Sequence, residues 1–258
     1  MLGKLLKYDL RYIYKQLLIF YGIVVVLAVI GRLTDGISDN FLVIFIHEFC
    51  QGATLGFSVG LLINATMRSW ERFKKNLYGD ESYLTHTLPI RRSTIWTAKF
   101  LTSIITAAIS IVVIIIALLI LFGSPEYFNA IAVQNHGDIT STFIMFISLG
   151  LTIMLQVIYI IQSGFMGIIL GHRAQSRRNF WSVLIGFLVY MAGGMLLMLG
   201  ILIWSTFDPQ FSALLNSTTQ TMPEIIKLLS GISILYIIIV TGTYFINRKL
   251  LDLGVNVD

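Results

Sequence analysis

His47 and Glu48 stand side by side in an apolar run, the pair that opens a zinc-protease H-E-x-x-H motif. The second histidine would belong at position 51, which is Gln51. The four histidines, His47, His86, His136 and His172, fall in four separate segments, so no metal site is expected. No G-x-x-x-x-G-K-[ST] stretch is present to cradle ATP phosphates. No Ser/His/Asp set or paired carboxylates stand out, and the chain is not expected to be an enzyme. The chemistry left is that of charges and small residues in an apolar setting. Glu48 is the one acidic residue well inside an apolar run, and a charge in lipid usually faces protein or water. It reads either as an interfacial carboxylate near the headgroups or as part of a polar entrance with His47 and Gln51. Gly52, Gly56, Gly60 and Asn64 continue at four-residue spacing, a row that lets helix backbones approach closely. Ser163, Gly167 and Gly171 repeat the idea. Met191, Met195 and Met198 share one helical face and can adapt to irregular apolar partners. The glycine rows read as tight packing within one subunit or as a surface where helices slide or rotate between states, and the methionine face as lipid-facing or core filling or as a pathway for amphipathic cargo.

The elements that must position these residues are membrane helices. The chain is 56% hydrophobic and only 12% charged, with a mean hydropathy of +0.83. A soluble domain carries about 25% charged residues. Six apolar runs are expected to span: 17–33, 41–67, 100–122, 142–170, 180–207 and 228–246. Residues 1–15 place Lys4, Lys7, Arg11 and Lys15 against a leucine-rich face, which predicts an amphipathic helix at an anionic surface. Together the spans and loops use the whole of 1–258, leaving one transmembrane domain. The lone Cys50 allows no intrachain disulfide, and no cleavable signal peptide is expected.

Lysine and arginine counts orient the spans. Residues 1–15 hold four, 68–99 seven, 171–179 three and 247–258 two, sixteen of the 18. Arg32 and Lys227 are the other two. Six spans with both termini cytosolic satisfy every loop. The net charge of +5 is therefore a membrane-orientation signal and not a nucleic-acid surface. The runs Arg68, Arg72, Lys74, Lys75 and Arg91, Arg92 are expected to meet anionic lipid, with some groups free to pair with an acidic partner.

Between the second and third spans lies a polar segment. Asp80 and Glu81 follow Gly79 and suit a helix N-terminus. Tyr83, Leu84 and Leu88 then share one side, and Pro89 ends the helix after about two turns. Ser93 or Thr94 is the expected cap of the next helix. The stretch Gly79-Asp80-Glu81-Ser82-Tyr83-Leu84-Thr85-His86-Thr87-Leu88-Pro89 resembles the "GDE-YLT-TLP" segment of ABC-2 type transporter permeases, the membrane subunits of bacterial ABC exporters.

The resemblance covers about twenty residues. It implies an all-α integral membrane fold: six spans, an N-terminal elbow helix over 1–15, and a cytosolic coupling helix over 79–89. Gly79, Asp80, Glu81, Tyr83, Leu84, Thr85, Leu88 and Pro89 would then meet a separate ATPase. It further implies two ATPase subunits carrying the ATP and Mg, and a second permease, most simply a homodimer in a bacterial plasma membrane. By span order, the second and fifth spans would line the cargo route. That brings in Glu48, Gly52, Gly56, Gly60 and Asn64 on one side and Met191, Met195 and Met198 on the other. The loop between spans five and six resembles the family's re-entrant hairpin, with 211–215 as its apolar element. Peptide export ranks first and lipid or drug efflux second. The rivals are a secondary transporter and an intramembrane enzyme. All four prolines lie in loops, which counts against the broken helices of a secondary transporter.

Overall fold

A computed structural model describes residues 2–37, 40–79, 81–87, 92–123, 139–174, 176–216 and 221–253. Among them the chain is all helix and turn, with no strand. The helices are α1 (Leu2–Leu33), α2 (Phe41–Tyr78), α3 (Ser82–Thr87), α4 (Arg92–Phe122), α5 (Ile139–Gly171), α6 (Arg178–Phe207), α7 (Pro209–Asn216) and α8 (Met222–Asp252). Six of them, all but α3 and α7, are long and apolar enough to cross a membrane, the architecture of a multi-pass helical membrane protein.

The helices outrun the hydropathy pattern. At 1.5 Å per residue, the 32 residues of α1 extend roughly 48 Å, against a hydrocarbon core of about 30 Å. The surplus lies mainly at the cation-rich end. Hydropathy stops where charge begins, but the backbone needs only continued hydrogen bonding and a face to bury. Residues 68–78 of α2 and 92–99 of α4 supply that face. Phe73, Leu77, Ile95 and Trp96 are buried there with Phe165 and Leu251. Phe73 stacks on Phe165 at 4.2 Å between ring centroids and meets Trp96 edge-on at 6.3 Å.

The expected elbow helix over 1–15 is not a separate element. α1 runs unbroken from Leu2 to Leu33, because one stripe serves both parts: Asp9, Ile13, Leu17, Tyr21, Val24, Ala28 and Gly31 are all buried at three- and four-residue steps. Ser93 and Thr94 are likewise not caps. They lie inside α4, where Ser93 offers its carbonyl to the Thr97 hydroxyl.

α1 packs on α2 and α4, while α5 packs on α6 and α8. The two trios meet where α2 and α4 touch α5. Neighbouring long helices run in alternate directions. Thus Tyr78 meets His172 and Arg173 meets Leu250 at one end, while His47 meets Gly31 at the other. Hydroxyls buried along the spans bond the carbonyl one turn back, as with Thr54 to Cys50, Ser58 to Thr54 and Thr102 to Ala98. Others tie helices together. Tyr21 and Ser110 join α1 to α4 at 3.0 Å, and Thr152 and Ser233 join α5 to α8 at 2.8 Å.

The α5–α6 crossing is backbone on backbone. A Cβ at Gly167 would collide with the α6 main chain at Ser182 and Gly186, and one at Gly171 would collide with Ser182. The packing reading of the 163–171 row holds. The apolar element at 211–215 is the helix α7. Asp208 caps it by accepting from the Phe211 amide at 3.2 Å, and Phe211 and Leu214 are buried against the ends of α6 and α8. Lys227 pairs with Asp208 at 3.2 Å across this junction.

Candidate functional site

At the cation-rich end, three elements converge on one carboxylate. Asp9 of α1 is only 2% exposed. Its Oδ2 accepts from Lys99 Nζ of α4 at 2.7 Å, and its Oδ1 accepts from Arg72 Nε of α2 at 2.8 Å. Asn76 Nδ2 adds a longer bond to Oδ1 at 3.3 Å. Lys99 is 5% exposed, so two opposite charges are held almost out of water. Such a pair persists when both oxygens and the ammonium find partners, as they do here. Ser69, Thr102, Ser103 and Phe165 complete a small cavity beside the pair, with room for about one water molecule.

Arg72 carries the network outward. Its Nη1 donates to Glu81 Oε2 at 2.7 Å, and Lys75 Nζ stands 3.6 Å from the other Glu81 oxygen. The Tyr12 ring lies under the guanidinium at 4.7 Å and within 5.7 Å of the Lys75 ammonium. Glu81 immediately precedes α3, whose Tyr83 is 75% exposed. The chain therefore presents an aromatic side chain on a six-residue helix, and that helix is moored to the spans through Arg72.

Of the residues expected in the coupling segment, Gly79 closes α2, its amide donating to the Lys74 carbonyl at 3.1 Å. Glu81 begins the turn into α3 and is ion-paired within the chain, not standing clear of it. Leu84 and Thr85 belong to α3. Asp80, Leu88 and Pro89 lie outside the described residues, as do the side chains of Leu84 and Thr85.

The expected cargo-pathway residues are not gathered into one cleft. Glu48, Gly52 and Gly56 are exposed on α2, and a Cβ at Gly52, Gly56 or Gly60 would meet nothing within 4 Å among the described residues. Asn64 accepts a long bond from Arg68 Nε at 3.4 Å. Met191, Met195 and Met198 are exposed on α6. α2 packs on α1, α4 and α5, whereas α6 packs on α5, α7 and α8, so the two faces look outward from different trios. His47 is engaged locally: Nδ1 donates to the Gly31 carbonyl at 3.0 Å while Nε2 accepts from Gln51 at 2.8 Å. Among the described residues no cluster of His, Cys, Asp and Glu could hold a metal.

A second junction sits beside the first. His172 follows α5, stacks on Tyr78 at 4.2 Å and donates from Nδ1 to the Ile168 carbonyl at 2.9 Å. Burial pushes its imidazole below the usual histidine range, and Lys74 and Arg178 add to the effect.

Asp9 and Lys99 were not legible as a site. Lys99 counts as one more cation in a basic loop. Asp9 does leave a signal: it is an acid on the apolar stripe of a helix whose other charges are all basic. Compared with protein-family models, curated proteins and solved structures, the chain matches none.

Proposed function

We propose that the chain is the transmembrane subunit of an ATP-driven exporter of the ABC-2 type, in which α3 receives the push of a separate ATPase. The observation that carries the reading is α3 itself. It lies between the second and third long helices, at the end shared by the cation-rich segments 2–15, 68–79 and 171–178, with Tyr83 turned outward. The positive-inside rule makes that end cytosolic, where a nucleotide-binding partner could reach it. The likeness of 79–89 to the permease coupling segment supplies the partner's class.

A homodimer is the simplest assembly. The open glycine row at 52, 56 and 60 supports it, since a helix face without side chains gains most from a second helix. The exposed methionine face on α6 suits amphipathic cargo, peptides first and lipids or drugs second.

The test is reconstitution with a candidate ATPase. Tyr83→Ala should leave membrane insertion intact and lower ATP-dependent transport by about tenfold or more, the usual scale for a buried aromatic anchor at an interface. Transport at the parent rate with no ATPase in the vesicle would sink the assignment and favour a secondary transporter.

A further inference from the structure

We infer that Asp9 is a positioning residue for α3: it fixes the Arg72 guanidinium, and Arg72 in turn holds Glu81 at the foot of that helix. Asp9 is the sole acid in α1, whose other charges are Lys4, Lys7, Arg11, Lys15 and Arg32. It does not pair with any of these. It points along the buried stripe to Arg72 and Lys99, on two other helices.

The guanidinium is engaged on two edges and one face. Nε meets Asp9 at 2.8 Å, Nη1 meets Glu81 at 2.7 Å, and the plane lies over Tyr12 at 4.7 Å. Arginine's donors form a rigid fork, so fixing one edge aims the other. Asp9 sets where Nη1 points and therefore where Glu81 binds. Charge follows the same logic, because Asp9 and Glu81 together balance Arg72 and Lys99. A shift of α1 against α2 would move the anchor of α3, and a pull on α3 would be felt at Asp9. This concerns how α3 is held, and it stands whether or not an ATPase grips that helix.

Amide hydrogen exchange on the whole chain in lipid nanodiscs, with no partner present, tests it. The double variant Asp9→Leu with Lys99→Met removes both inner charges together, so no buried charge is stranded, yet Arg72 loses its inner anchor. Exchange over 81–87 should rise about tenfold, the scale for losing one charge-assisted hydrogen bond. Glu81→Gln should give the same rise, and adding it to the double variant should add nothing more. Arg72→Lys keeps the charge but replaces the rigid planar fork with a flexible point charge that does not aim one carboxylate from the other, and it should match Glu81→Gln. If 81–87 exchanges at the parent rate in the double variant but faster in Glu81→Gln, Asp9 does not position α3. If Arg72→Lys exchanges at the parent rate, the fork is not the link. Because no ATPase is used, either failure leaves the exporter reading to be judged separately by transport.

Discussion

Asp9 and His172 show two ways in which one end of a membrane bundle handles polar groups. Asp9 is charged, buried and compensated on both oxygens. Removing Asp9 alone would strand Lys99, at a cost of about 3–5 kcal/mol, whereas removing Lys99 alone leaves Asp9 paired with Arg72. For His172 burial instead disfavours the charged form. Its surroundings are Tyr78, Ser182 at 3.4 Å, the Ile168 carbonyl, and the cations Lys74 and Arg178, which together offer no carboxylate to reward a proton. Its folded pKa lies below the unfolded one. The neutral imidazole therefore contributes fully at pH values above the ordinary histidine range, and that contribution is lost as pH falls through the folded value. Thermal unfolding in detergent should show a midpoint that drops from about pH 7 to pH 5. His172→Gln should remove part of that drop. A slope unchanged by the substitution would assign the acid sensitivity elsewhere.

At the scale of elements, glycine does two jobs that sequence alone does not separate. The rows at 52–60 and 163–171 look alike as four-residue repeats. On α5 the glycines lie against the α6 main chain, whereas on α2 they meet no other described residue within 4 Å. Gly167→Ala should destabilise the isolated chain by about 1–3 kcal/mol, since the added methyl meets backbone that cannot fold aside. Gly56→Ala should leave the unfolding midpoint of the monomer unchanged or slightly raised, because it adds helix propensity without a clash. If both substitutions cost the same, the α5–α6 contact is looser than the described backbone.

Across the whole molecule, what was legible follows from which force dominates each stretch. Helix ends at Leu33, Phe41, Phe122 and Phe207 agree with the hydropathy reading, because there the apolar run and the helix stop together. At the opposite ends helix and hydropathy part, as the helix expected over 1–15 and the one expected from Ser93 or Thr94 already implied for α1 and α4. α1, α2 and α4 continue for 8 to 15 residues past the expected span, held by aromatic packing and ion pairs between segments distant in sequence. A local pattern registers Lys99 only as one more charge in a basic stretch. It does not register that Asp9, 90 residues earlier, waits for that ammonium. The six-residue helix Ser82–Thr87 falls inside the segment that the spacing of its apolar residues marked as helical, and its expected stop at Pro89 lies outside the described residues. Its mooring to Arg72 was not legible, since that depends on where two other helices end.

The mooring also grades with depth, and this fixes how it answers to ionic strength. The Lys75–Glu81 contact is open to solvent, while the Asp9–Lys99 pair is almost sealed. Mobile ions screen the first strongly, with a Debye length of about 3 Å at 1 M salt, but do not penetrate to the second. Brine should therefore slacken the outer link and leave the inner knot tied: cysteine labelling at Glu81 neighbours such as Ser82→Cys should quicken with added sodium chloride, while the unfolding midpoint stays put. A midpoint falling in step with labelling would mean that the knot itself dissolves.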